Sequence, residues 1–485
     1  MRTQKASLAG LILCLAKPVI CALPELSSEA LQADILSENL LADLVKFNDI
    51  ATANGGNRAF GLPGYTASVD FIWSRISQLE GVKAWKQDFS AVYGRSSVVN
   101  LTAGGTEYAA WPITYSPETS HEGLEAELVL GPLGTAACNI SSYDDLDVAG
   151  KIVLVESGTC PDTRRGFLEA RMIPAAAAGA SAVIIYNDID LILRAGSFSR
   201  ASASDVPTGF INRVEGLDIK ARLEGGESIV AMFVTYDVLD TRVTQNIFVE
   251  TEGGDPTKTV MFGAHLDSVT VGPGINDNAS GSSLLLEIFT ALTKYSAKNR
   301  IRFAWWGAEE KGLLGSRYYT NSLTQADADD ILAYVNFDMV SRGYYGVFDG
   351  DGSSFGIIAP PGSAAIEALF VDDFVSKGIT VTPASFSNGT DYRYFWETLK
   401  KPVGGLFTGT GGAQDPCYHQ ACDTVSGVNV TQLTINTKAA AHVLSILATK
   451  GTHRATTVTL ECLRQESYGR PSAIEVAQCG EKALI

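Results

Sequence analysis

Four apolar runs, KTVMFGAHLDS, RIRFAWWGAEE, ILAYVNFDMVS and KPVGGLFTG, are separated by segments of helical periodicity. Short β-rich runs alternating with helices build a mostly parallel mixed sheet covered by helices on both faces, an α/β architecture. One such helix is marked by Leu284, Leu285, Ile288, Phe289 and Leu292, an apolar face at 3.6-residue spacing. In open sheets of this kind ligands sit beyond the carboxyl ends of the strands. Three of the four runs end there in metal-binding residue types: His265 with Asp267, Glu309 with Glu310, and Asp338.

Asp277, in the turn GINDNASG, and His419, in DPCYHQACD, extend this set. Each alone reads as a solvated acid or a hydrogen-bonded histidine. Together, in a chain with only five histidines, they read as a two-metal site. Mixed imidazole and carboxylate donors suit zinc, so two Zn²⁺ ions are the expected cofactors. Residues two apart in a strand face the same way, so Asp267 is placed to orient His265. Adjacent residues face oppositely, so of Glu309 and Glu310 one binds metal while the other meets substrate as a free carboxylate. A carboxylate beside a metal-activated water is the apparatus of a hydrolase.

Composition narrows the class further. With 485 residues, 46% of them hydrophobic, the chain has ample core for two or three domains. A net charge of −17 without any basic run excludes nucleic acid as a partner. Arg2 and Lys5 ahead of the apolar run Leu8 to Ala16, with small residues up to Ala22, read as a signal peptide over 1–22. Its removal takes three basic residues and Cys14 and Cys21. In an oxidising compartment the remaining cysteines pair most simply as Cys138 with Cys160, Cys417 with Cys422 and Cys462 with Cys479, among fifteen possible connectivities. Sequons at Asn100, Asn139, Asn278, Asn388 and Asn429 fit a secreted glycoprotein, except that a glycan on Asn278 would crowd Asp277.

Leu31, Ile35, Leu40 and Leu44 behind Ser27 and Ser28 predict a capped amphipathic helix at the start of the mature chain. Residues 122–233 change texture, with runs such as KIVLVES and SAVIIYN between Gly and Pro turns, and read as an inserted small α/β domain. It divides the domain that carries the metal-site residues into 23–121 and 234–453, with residues 454–485 an aperiodic tail. The match of Gly352–Gly356 to G-x-S-x-G lies in a loop rather than after a strand, which argues against a serine nucleophile. His442 lies on a helical face with Ile435, Ala439 and Ile446 and reads as a core histidine. His121 and His453 have no assigned role.

GAHLDS, NDNASG, WWGAEEKGLLGS, NFDMVS and CYHQACD, in this order, resemble the co-catalytic zinc aminopeptidases of the aminopeptidase Y and fungal secreted leucine aminopeptidase type. The inserted region resembles their protease-associated domain. The resemblance implies His265, Asp277 and Asp338 on one zinc ion, and Asp277, Glu310 and His419 on the other. It further implies Glu309 as general base, Asp267 as the orienter of His265 and Tyr418 as the group steadying the oxyanion. Where some relatives carry a basic residue that contacts substrate, this chain has Gly389, with Arg393 nearby as an alternative. The expected function is a secreted or vacuolar two-zinc aminopeptidase, a monomer acting on peptides with a free N-terminus. The alternatives are a zinc carboxypeptidase of the same fold and a metal-free receptor-like binding ectodomain.

Overall fold

The computed structural model describes residues 23–450, apart from 159, 161–167, 191–195, 199–201 and 388. The signal peptide, the tail with Cys462 and Cys479, His453 and the Asn388 sequon lie outside the described residues.

The centre of the molecule is a parallel run of strands in the order Val403–Phe407, Ile331–Asp338, Asp255–His265 and Asn299–Trp306. Side chains alternate cleanly between its faces. Val260, Phe262, Ile301, Phe303, Val335 and Phe337 pack on one side against helices Ser37–Ala53, Ser280–Leu292 and Val430–Lys450. Met261, Ala304, Trp306 and Tyr334 pack on the other with Tyr319, Tyr392 and Phe395. Both faces are therefore covered, and the sheet edges are mixed: Gly346–Phe348 runs antiparallel to Val403–Phe407, and Ile229–Thr251 antiparallel to Asn299–Trp306.

The helix after Asp277 is buried on nearly every side rather than along one face, because other helices cover the side turned away from the sheet. The opening amphipathic segment forms two helices, Ser28–Ala33 and Ser37–Ala53, where one was expected. The Glu287 carboxylate accepts the Leu36 N–H at 2.7 Å at the break between the two helices, and the four expected apolar residues are all buried.

Two long strands, Val82–Ala103 and Ile229–Thr251, pair antiparallel from Val82 with Thr251 to Ala103 with Ala231. One end of the second strand joins the central sheet. Its other end pairs with Leu124–Leu130 and continues into Ile152–Glu156, Ala182–Tyr186 and Thr208–Ile211. The chain thus leaves and re-enters the central sheet along neighbouring strands. This outer region has its own apolar clusters, and Leu101, Ala103, Tyr108, Ile113 and Tyr115, all before residue 122, pack into them. Cys138 and Cys160 are bonded there, as Cys417 and Cys422 are near the sheet.

The first turn of the Ser280–Leu292 helix lies so close to the end of Ile331–Asp338 that a Cβ on Gly281 would sit 2.4 Å from the Phe337 carbonyl oxygen. Gly281→Ala should lower unfolding free energy by about 1–3 kcal/mol, the usual range for overpacking, measurable by urea denaturation.

Candidate active site

The expected residues converge beyond the carboxyl edge of the parallel strands, around a cavity of about 960 Å³. His265 ends its strand. Its Nδ1 lies 3.2 Å from the Asp267 carbonyl oxygen, which as acceptor leaves Nε2 free to face the cavity. That Nε2 is 3.1 Å from Asp277 Oδ1 and 3.3 Å from Asp338 Oδ1. The other oxygen of Asp277 is 3.2 Å from His419 Nε2, which is 3.1 Å from Glu310 Oε2. Two donor sets result, His265 with Asp277 and Asp338, and Asp277 with Glu310 and His419, with Asp277 common to both.

These donors have the chemistry of a metal site. Glu310 Oε1 and Asp338 Oδ1 are buried and accept no hydrogen bond. Buried anionic oxygens of this kind require a cation or a proton. The neighbouring carboxylates overcome the downward pull of burial on both histidines and lift His419 to about 10. Without metal, protons therefore occupy the positions a cation would take.

Strand alternation does not separate Glu309 from Glu310, because the strand ends at Trp306 and both residues lie on the tight turn Glu309–Lys311. Asp267 helps to fix that turn: its Oδ1 accepts the Glu309 N–H at 3.0 Å and its Oδ2 the Glu310 N–H at 3.3 Å. Its carboxylate stands 3.6 Å from His265 Nδ1, so its contact with the imidazole is made mainly by the backbone carbonyl. Glu309 reaches 3.9 Å from His265 Nε2, and burial holds its carboxyl well above the usual range.

Ala308, Met339 and His419 all have positive φ, a conformation costly for residues with a side chain. One precedes Glu309, one follows Asp338 and the third is itself in a donor set, a concentration of backbone strain expected at functional sites. Tyr418 stacks on His419 with ring centroids 3.8 Å apart and lines the cavity. Burial pushes its phenol well above the normal value, keeping a hydroxyl proton available for donation.

Asn278 is fully buried, donating to the Phe337 carbonyl at 2.8 Å and accepting from Gly281 N and Met339 N. A glycan has no room there, whereas Asn100, Asn139 and Asn429 are exposed. His442 is only partly buried and sits 2.8 Å from Ser28 Oγ, so it is a helix-joining residue rather than a fully buried core one. Gly352–Gly356 is an irregular loop.

Several supporting residues had no role assigned from the sequence, although Asp415 and Asp423 open and close the DPCYHQACD segment. Asp423 accepts the Asn276 and Asp277 N–H groups at 2.8 and 3.0 Å, while Asp415 accepts Asn276 Nδ2 at 2.7 Å. The loop between them, closed by the Cys417–Cys422 bond, is thereby tied to the shared carboxylate. Asp391, fully buried behind His265 and Asp338, is pushed by burial to about 7. Arg58, also fully buried, donates to the carbonyls of Leu266, Pro273 and Gly274.

Asp423→Ala would leave two buried N–H groups without acceptors, at about 1–3 kcal/mol each. The variant should melt earlier and retain less metal after dialysis, measured by differential scanning calorimetry and elemental analysis.

Residues 246–444 match Peptidase family M28 and residues 124–219 match the PA domain. Leucine aminopeptidase 2 of Trichophyton rubrum is 35% identical over 443 residues, covering 87% of this chain and 86% of that protein. An aminopeptidase of Pseudomonas aeruginosa is 35% identical over 482 residues, covering 89% and 85%. Among solved structures, the aminopeptidase from Aneurinibacillus sp. strain AM-1 superposes with a TM-score of 0.72 at 24% identity, covering 87% of this chain and 96% of that one.

Proposed function

The chain belongs to peptidase family M28, and from that membership we propose that it is a two-zinc aminopeptidase in which Asp277 would be common to the ligand sets of both ions and Glu309 is the general base. The observation that carries this reading is the pair of donor sets sharing Asp277 within a single cavity. His265 and Asp338 complete one set, Glu310 and His419 the other.

Zinc bound there supplies Lewis acidity, polarising the scissile carbonyl and acidifying a water molecule. Glu309 takes the proton of the attacking water and delivers it to the departing amine. Tyr418 donates its hydroxyl proton in a hydrogen bond to the oxygen of the tetrahedral intermediate. Asp267 keeps Glu309 and Glu310 at their posts through their backbone N–H groups. The acidic lining is suited to a terminal ammonium. A carboxypeptidase needs cations for a terminal carboxylate, whereas the described cavity wall carries two arginines, Arg317 and Arg393, the second engaged by Glu397 at 3.1 Å, against six carboxylates. A receptor-like ectodomain has no need of the converging donors.

Glu169, Ile173, Phe198 and Asp205, all from the inserted domain, form part of the cavity wall. In this reading that domain roofs the site and restricts entry to narrow, extended N-termini. No helix among the described residues is long and apolar enough to cross a membrane. The two disulfides and exposed sequons support passage through an oxidising compartment, to the extracellular space in preference to a vacuole.

The purified protein should contain two zinc ions and lose activity in a strong chelator. Because the site histidines hold protons at neutral pH, zinc uptake should release protons and strengthen as pH rises, measurable by calorimetry in buffers of different ionisation enthalpy. Glu309→Gln should retain zinc while losing most of kcat, whereas Glu310→Gln should lose zinc, read by elemental analysis beside steady-state kinetics. N-acetylated peptides should resist cleavage and C-terminally amidated ones should be cut normally; the opposite pattern would establish the carboxypeptidase.

A further inference from the structure

Arg58 lies more than two hundred positions before the residues it serves. Its backbone N–H donates to Ser268 Oγ at 2.9 Å. Its guanidinium spans the loop between His265 and Asp277: one terminal nitrogen donates to the Leu266 carbonyl, Nε to the Pro273 carbonyl at 2.9 Å and the other terminal nitrogen to the Gly274 carbonyl at 2.6 Å. Ser268 Oγ in turn donates to the Gly272 carbonyl at 3.0 Å. Phe47 covers the guanidinium, with Cζ 5.1 Å from the ring centroid. Among the described residues no carboxylate is within ion-pair distance of it, although Asp267, Asp277, Glu310 and Asp423 all lie in its field.

We propose that Arg58 is a positioning residue of the metal centre: it clamps the loop entering from His265 to the loop leading into Asp277, and so sets how tightly both zinc sites hold metal. This rests on the zinc reading above. Leu266 follows His265 directly, and Gly274 opens the turn that carries Asp277, so the clamp fixes the spacing between a donor of one set and the donor common to both. A planar fork satisfies three carbonyls in different directions, whereas a lysine ammonium, a single nitrogen on a four-carbon stem, cannot span them. Buried with no partner carboxylate in contact, the cation also offsets part of the repulsion among the surrounding acids before metal arrives. Its role is confined to geometry and metal affinity, since it does not line the substrate cavity.

The test uses the full chain stripped of metal and titrated with zinc alone against a chromophoric chelator. Arg58→Lys should weaken zinc binding by about 10–100-fold, the range seen when groups that orient metal ligands are removed. At saturating zinc KM for a peptide should match the wild type, and kcat should recover as zinc is added. Leu44→Ala, a core change outside the metal-ligand loops, should lower the melting temperature without altering zinc affinity. If Arg58→Lys loses only stability, as Leu44→Ala does, and binds zinc like the wild type, the proposal is overturned. Should Arg58→Lys fail to fold, Ser268→Ala loosens the same joint and must also weaken zinc binding; unchanged affinity in that variant overturns the proposal equally. A wild-type protein that takes up no zinc removes the functional reading itself, an outcome distinct from a tight wild type with an equally tight variant.

Discussion

The active centre depends on one carboxylate shared between two imidazoles. Asp277 places one oxygen against His265 and the other against His419, residues that come from a strand end and a disulfide-closed loop more than 150 positions apart. Four acids and two histidines crowded into a water-poor space repel one another unless cations or protons neutralise them. The surrounding structure accordingly serves to hold these groups together: Asp423 accepts the consecutive N–H groups of Asn276 and Asp277, Asp267 grips the Glu309–Glu310 turn, and Arg58 closes the loop between His265 and Asp277.

The parallel sheet makes this arrangement possible because it delivers several chain segments to one edge in register. Its strands are held by the apolar layers on both faces, and the strained residues at the site, Ala308, Met339 and His419, all lie outside them. Positive φ at Ala308 turns the chain sharply before Glu309, and positive φ at Met339 turns it away directly after Asp338, the last residue of its strand. Asn278 contributes from below, joining the Asp277 turn to the end of the Asp338 strand by hydrogen bonds that leave no polar atom of its side chain to solvent.

The inserted domain adds the remaining wall. Because the two long strands carry the sheet outward, its residues line the same cavity as the donor sets while its cores stay separate from the core around the central sheet.

How much of this was legible in the sequence follows from the range of the interactions. Periodicity over a few residues marked the strands, the buried helix and the order of the donor-bearing segments, because alternation and 3.6-residue spacing are local properties of the backbone. The donor types themselves, His265, Asp277, Glu309, Glu310, Asp338 and His419, stand in short motifs and were recognisable by their chemistry and by resemblance. Local reasoning went astray where the backbone leaves its regular path: alternation was extended to Glu309 and Glu310, although the strand stops at Trp306, and one helix was expected where the chain breaks into two at Asp34–Leu36. Arg58 and the gripping role of Asp423 left no local trace, since a hydrogen bond to a backbone carbonyl or N–H requires no particular partner side chain. Composition and pattern determined which segments fold and which chemistry they bring; only tertiary packing decided which oxygen faces which imidazole, because distances of 3 Å between residues far apart in the chain are set by the whole core at once.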